Sequence, residues 1–368
     1  MKIIFAAGGT GGHVNPALAS AAAVRAREPD CEILFIGTPN KIEADVVPKA
    51  GFAFTGLDVE GFSRGKSVKS ILKNLIVFVK AFLATGKAKR IIRDFSPDVV
   101  VGFGGYVSGP VVKAAQKLKI RTCIHEQNAY PGVTNKMLAK RADCVMLTSP
   151  EAEKYMTCKN KPVVTGLPVR EAILRADPKA AKAKVSPDGR PVVFSFGGSL
   201  GAKALNEAMT QVIIDKKDRQ LRFIHACGKT GAAMPDTLRN AGVEVGDGAN
   251  VRVSEYIYDM ETYLAAADVV ICRAGASTLA ELKSVGRASI LIPYPYAAEN
   301  HQYHNARELS DRGAAVLIEE KDLTVEALER ELEQILTDPE KRAAMERAAK
   351  SLSIDDAETR IAELIIGK

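Results

Sequence analysis

Short apolar runs alternate with longer, mixed stretches from one end of the chain to the other. The runs cover residues 2–6, 33–37, 99–103, 122–125, 191–196, 221–226, 269–272 and 289–293. Each is continuous and rich in Val and Ile, the pattern of strands buried on both faces. Strand-then-helix alternation predicts parallel sheets covered by helices, an α/β class.

One stretch occurs twice. Ile3-Ile4-Phe5-Ala6-Ala7-Gly8-Gly9-Thr10-Gly11-Gly12 aligns without gaps on Val192-Val193-Phe194-Ser195-Phe196-Gly197-Gly198-Ser199-Leu200-Gly201. Both copies read as strand, glycine turn with a hydroxyl residue, then helix. Two such openings predict two domains of one class, 1–165 and 166–351, parted near Gly166 and Pro168, which break the pattern. A last amphipathic helix, about 352–368, has no strand after it and is a candidate to pack back onto the first domain.

A length of 368 residues suits two domains, and 46% hydrophobic with 26% charged residues suits buried cores. The chain has no Trp, which disfavours base-stacking platforms. No apolar run is long enough to span a bilayer, and the N-terminus lacks the pattern of a signal peptide, so a cytoplasmic protein is expected. The six Cys residues are scattered, without CxxC spacing, and read as reduced core residues. Net charge is uneven: +11 over residues 1–164 and −4 over 165–368. The first half therefore suits an anionic surface, membrane or nucleic acid. No nucleic-acid recognition motif supports the second choice.

Three glycine loops follow predicted strands and precede helices: 8–12, 102–105 and 197–201. Glycine lets backbone N–H groups approach a ligand, and a helix start favours anions, so such corners suit phosphate. NAD is not expected. Val14 stands where the dinucleotide fingerprint needs its third glycine, and no acid follows Phe35-Ile36-Gly37-Thr38. Gly228-Lys229-Thr230 imitates the end of a P-loop, but Phe223 replaces its first glycine.

His13 follows the first loop. Asn15 as N-cap and Pro16 at the first helical position place a helix start beside it, which favours a neutral imidazole able to accept a proton. In the second half, Arg273 suits a phosphate, Glu281 both hydroxyls of a ribose, and Gln302 sugar hydroxyls. These residues lie at consecutive strand ends, where open α/β sheets bind ligands.

Gly8-Gly9-Thr10-Gly11-Gly12-His13, Gly104-Gly105-Tyr106-Val107-Ser108-Gly109-Pro110, His125-Glu126-Gln127-Asn128, Gly197 to Ala202 and Arg273 to Glu281 resemble, in order and spacing, the motifs of the MurG family. That family transfers N-acetylglucosamine from UDP-N-acetylglucosamine to lipid I, forming lipid II of peptidoglycan. The resemblance implies a GT-B architecture, two Rossmann-like domains facing a central cleft, with the donor held mostly by the second. By motif, Ser199 and Arg170 would contact diphosphate or uridine, and Ile257 would offer backbone to uracil. Ala276, Ser277, Thr278, Leu279, Ala280 and Glu281 would hold ribose and sugar. Gln302 and Asn128 would read N-acetylglucosamine hydroxyls, while Thr10, Gly11 and Gly12 line the cleft. His13 is the candidate general base, with Glu126 as the alternative. One departure is Leu167, where the family has Asn in Gly-Asn-Pro-Val-Arg.

No Asp-x-Asp metal string is present, and neither a metal nor another cofactor is expected. Expected partners are UDP-N-acetylglucosamine, lipid I and an anionic membrane surface, with other cell-wall synthesis proteins as candidates. The membrane reading rests on a helix over 67–93, whose wide apolar face is ringed by Lys66, Lys69, Lys73, Lys80, Lys87, Lys89 and Arg90. It places the enzyme peripherally on the cytoplasmic face of the cell membrane. Rival readings are a glycosyltransferase with a soluble acceptor, a UDP-sugar epimerase and a non-catalytic nucleotide-sugar sensor.

Overall fold

The predicted strands pair only with parallel neighbours. A computed structural model of the chain describes residues 1–59 and 83–367. It divides into two units, Met1–Pro168 with Asp356–Lys368, and Val169–Asp355.

Unit 1 runs β1 (Lys2–Ala6), α1 (Gly11–Arg27), β2 (Glu32–Gly37), α2 (Glu43–Lys49), β3 (Ala53–Gly56), α3 (83–95 in its described part), β4 (Val99–Gly102), α4 (Gly105–Lys117), β5 (Arg121–Glu126), α5 (Val133–Ala139), β6 (Cys144–Leu147) and β7 (Val163–Val164). Its sheet has the order β3-β2-β1-β4-β5-β6-β7. Residues 67–82 of the expected membrane helix lie outside the described residues.

Unit 2 runs α6 (Glu171–Leu174), α7 (Pro178–Val185), β8 (Val192–Phe196), α8 (Lys203–Asp215), β9 (Arg222–Ala226), α9 (Met234–Asn240), β10 (Val251–Ser254), α10 (Met260–Ala266), β11 (Val269–Cys272), α11 (Ala276–Val285), β12 (Ser289–Leu291), α12 (His301–Ser310), β13 (Ala315–Leu317), α13 (Val325–Thr337) and α14 (Pro339–Ser351). Its sheet order is β10-β9-β8-β11-β12-β13. The repeated sequence thus supplies β1 and β8, each central in its sheet. Strand order reverses between β1 and β4 in one unit and between β8 and β11 in the other. Such switch points leave a crevice at the strand ends.

The short strands β3, β6, β7, β10 and β13 escaped the sequence reading. Each has two to four residues, and the exposed or half-buried positions in most of them break up a long apolar run. Helix α1 also starts earlier than expected, at Gly11 rather than near Asn15. Thr10 is its N-cap, with φ −146° and ψ 156°, and Pro16 lies inside the helix. Thr10's carbonyl accepts from the N–H of both His13 and Val14, so the glycine pair itself forms the first turn.

The last helix, α15 (Ala357–Ile366), belongs to unit 1 and packs on α1. Its Ile361, Ala362 and Ile365 are buried with Val14, Ala17, Ala21 and Val24. Arg121, at the start of β5, donates to the carbonyls of Ile365 (2.5 Å) and Leu364 (2.6 Å). A guanidinium at a helix C-terminus satisfies orphan carbonyls and opposes the dipole. Ile361→Ala is expected to cost unit 1 about 2–5 kcal/mol, since it leaves a cavity under α1. An earlier urea midpoint with unchanged slope is the measurement that checks it.

Candidate active site

The glycine loops of unit 1 are built by close backbone approach. Gly105 has φ 76°, and a β-carbon there would lie 2.1 Å from the carbonyl oxygen of Gly8. The turn after β4 therefore rests on the turn after β1. A residue that sequence reasoning missed holds the first turn. Glu43, the first residue of α2, is buried, and its carboxylate accepts from Gly9 N (3.1 Å to either oxygen) and Thr38 N (2.9 Å). No acid directly follows β2, where a ribose-binding carboxylate would stand. Glu43 lies five residues after Thr38, and its carboxylate is taken up by the amides of Gly9 and Thr38.

His13 sits in the first turn of α1. Its Nδ1 lies 3.2 Å from Thr10 Oγ1, and its ring lies over Gly104, whose φ is 93°. A β-carbon on Gly104 would come within 2.6 Å of the imidazole Cδ2. Thr10 and His13 thus share one corner with Gly11 and Gly12.

Glu126, the alternative base, lies behind the loop that carries Asn128. Its carboxylate is buried and takes four hydrogen bonds, from Asn128 N (3.0 Å), Asn128 Nδ2 (3.2 Å), Gly132 N (3.2 Å) and Asn135 Nδ2 (2.8 Å). Burial raises its carboxyl above the usual carboxylate range, and these donors offset only part of that rise. These bonds tie Glu126 to the 127–135 loop, Asn128 included. Next to it, His125 stacks on Phe103 and meets the Gly166 carbonyl at 3.0 Å. Leu167 is buried, so an apolar side chain fills the place of the usual Asn.

In unit 2, Gly197–Gly201 forms a turn closed by Gly201 N to Gly198 O (2.9 Å), with Ser199 exposed at its tip. A β-carbon on Gly201 would lie 2.2 Å from the Cys227 carbonyl oxygen. This explains Gly228: it belongs to a loop packed against the first, not to a P-loop. Beneath both lies a buried polar relay. Ser195 Oγ donates to His225 Nδ1 (2.7 Å), His225 Nε2 donates to Asn206 Oδ1 (3.0 Å), and Asn206 Nδ2 donates to the Cys227 carbonyl (2.8 Å).

Helix α11 begins after Gly275 with no side-chain cap, placing Ala276, Ser277 and Thr278 half-exposed at its start. Leu279 and Ala280, next along the helix, are buried. Glu281 pairs with Arg170, at 3.2 Å from both Nε and Nη2 to Oε1. Burial raises the Glu281 carboxyl above the usual carboxylate range, and Arg170 offsets only part of that rise. Ile257 is also buried, leaving its backbone as the part able to meet a base. Gln302 Oε1 accepts from Tyr294 N (2.9 Å), which leaves the amide nitrogen as its donor.

Arg273 departs from expectation. It donates to the carbonyls of Ile292 (3.1 Å) and Pro293 (3.2 Å) and pairs with Glu320. Its charge is neutralised and its donors tie β11 to the end of β12, so it is not poised for phosphate. The loop that follows holds Glu299 and Asn300 at φ 52°, strained backbone of the kind that clusters at ligand-binding sites.

Loops of this kind at the strand ends of two parallel sheets suit a ligand that carries phosphate. The N-terminal domain of glycosyltransferase family 28 matches residues 3–147, and its C-terminal domain matches residues 192–361. The protein named UDP-N-acetylglucosamine--N-acetylmuramyl-(pentapeptide) pyrophosphoryl-undecaprenol N-acetylglucosamine transferase from Acetivibrio thermocellus is 44% identical over 367 residues, 99% of this chain and 97% of that protein. Its namesake from Listeria welshimeri is 40% identical, covering 100% and 99%. The crystal structure of Acinetobacter baumannii MurG matches with TM-score 0.81 at 30% identity, over 100% of this chain and 99% of that one. A UDP-GlcNAc 2-epimerase from Neisseria meningitidis, at TM-score 0.67 and 13% identity, shares the fold alone.

The chain is a family 28 glycosyltransferase with the GT-B fold. Within that class it belongs to the MurG family.

Burial holds the imidazoles of His225 and His125 down to about 3 and about 4, below the ~6.5 of an exposed histidine. Both are neutral when folded, so the unfolded chain takes up extra protons as pH falls through about 6.5. Stability is complete above that pH and drops by about 1.4 kcal/mol per pH unit per histidine down to about pH 4. Urea unfolding at pH 7, 6 and 5 should show this slope, and His225→Gln should flatten unit 2's share.

Proposed function

We propose that the protein transfers N-acetylglucosamine from UDP-N-acetylglucosamine to the C4 hydroxyl of the muramyl sugar of lipid I, with inversion, to form lipid II. The carrying observation is full-length kinship at 44% identity to an enzyme named for this transfer, on loops built as phosphate corners. It favours this reading over the epimerase and the soluble-acceptor transferase.

The muramyl hydroxyl attacks C1 of the donor sugar, the C1–O bond to UDP breaks, and the hydroxyl proton passes to His13. When Nδ1–H donates to Thr10 Oγ1, Nε2 carries the lone pair that takes the proton, as an oriented base requires. The departing diphosphate gains charge. Loop amides at 197–201 and the uncapped start of α11 suit that charge. Glu281 takes the ribose hydroxyls, Ile257 offers backbone to uracil, and Gln302 and Asn128 read the sugar. UDP-N-acetylglucosamine is a substrate here, and among the described residues no His, Cys, Asp or Glu group is placed to hold a metal.

The enzyme would work on the cytoplasmic face of the membrane, bound peripherally. No described helix is long and apolar enough to cross a bilayer. Leu83 is exposed at the described start of α3, with Lys87 and Arg90 exposed after it, which suits anionic lipid.

The test is lipid II formation from UDP-N-acetylglucosamine and a lipid I analogue in EDTA, wild type beside His13→Ala. Wild-type transfer with a loss of about 100- to 10,000-fold in the variant is expected. Transfer unchanged by the substitution would move the base elsewhere, and UDP-sugar binding without transfer would sink the acceptor.

A further inference from the structure

Glu281 faces a conflict. To accept hydrogen bonds from two ribose hydroxyls its carboxylate must be ionised, yet burial favours the neutral acid. A protonated carboxyl has one donor and less acceptor capacity, so it would grip a diol poorly.

Arg170 opposes the effect of burial, which still holds the carboxyl above its ordinary value, and it fixes how the carboxylate is turned. It stands at the N-cap of α6, a short helix packed on α10 and α11 within the same unit. Its Nε and Nη2 both end on Oε1 of Glu281, each at 3.2 Å, and Oε2 accepts from neither. One oxygen is therefore fixed by the cation and the other is left for the ligand. Arg170 is itself half-exposed while Glu281 is largely covered, so the charge reaches the carboxylate from the solvent side.

We propose that Arg170 is a positioning residue that acts through Glu281, turning that carboxylate so that Oε2 receives the ribose hydroxyls of the nucleoside diphosphate. This assigns Arg170 to ribose recognition rather than to a direct grip on the diphosphate. The inference rests on the reading of Glu281 as the ribose acceptor given above.

The experiment compares UDP with 2′,3′-dideoxy-UDP by calorimetry on the full chain. The ratio of the two affinities reports the ribose hydroxyls and cancels every diphosphate contact. The wild type should prefer UDP by tenfold or more. Arg170→Gln should shrink the ratio to within about twofold of that in Glu281→Gln, and the double variant should lose nothing further. Arg170→Lys should recover part of the preference, since it restores charge but not the two-pronged geometry. In the transfer assay the same variants should raise KM for the donor with little change in kcat. If Arg170→Gln weakens both nucleotides equally and keeps the ratio, Arg170 grips the diphosphate and the proposal is overturned. If Glu281→Gln also keeps the ratio, the ribose reading of Glu281 falls, and this proposal with it.

Discussion

Backbone meeting backbone is the constraint on which the site depends. At Gly105 and Gly201 a single added carbon would overlap a neighbouring carbonyl oxygen at 2.1 and 2.2 Å. Both residues also hold positive φ, 76° and 81°, so any side chain would be strained as well as obstructed. The contacts bring adjacent strand ends close enough for their N–H groups to converge. In unit 1 the contact joins the loops after β1 and β4, at the switch point, and in unit 2 it joins those after β8 and β9. A phosphate corner needs amides without bulk in front of them, and this is how the chain provides it.

Loops so poor in side chains have little packing to hold them, and buried polar groups take that role. Glu43 receives the amides of Gly9 and Thr38, Glu126 receives the turn that carries Asn128, and the Ser195–His225–Asn206 relay holds the Cys227 carbonyl. Each sits behind a loop and is held there by hydrogen bonds. Unmet, such groups would cost about 1–3 kcal/mol apiece, so the loops and their anchors stand or fall together.

Much of this was legible in the sequence. The apolar runs gave the central strands, and the repeated strand–glycine–helix unit gave the two sheets. Motif order pointed to the family. What escaped has physical causes. The edge strands are too short to show a period. The start of α1 was misplaced because Asn15 and Pro16 imitate a cap, whereas two flexible glycines had already entered the helix. Glu43 carries no motif because its partners are backbone amides, which every residue type but proline supplies. Arg273 looked like a phosphate ligand by position, but Glu320, 47 residues on, claims its charge. Pairings that distant leave no local trace.

Helix α15 gives the chain an order of assembly. It fills the core of unit 1, yet the ribosome makes it only after all of unit 2, Val169–Asp355, has emerged. At about 5–20 residues per second, the first unit waits roughly 10–40 s with the face of α1 uncovered. The second unit can complete itself in that interval. The unit begun first is then the one finished last, and its exposed α1 surface is the stretch of the nascent protein most in need of protection from aggregation.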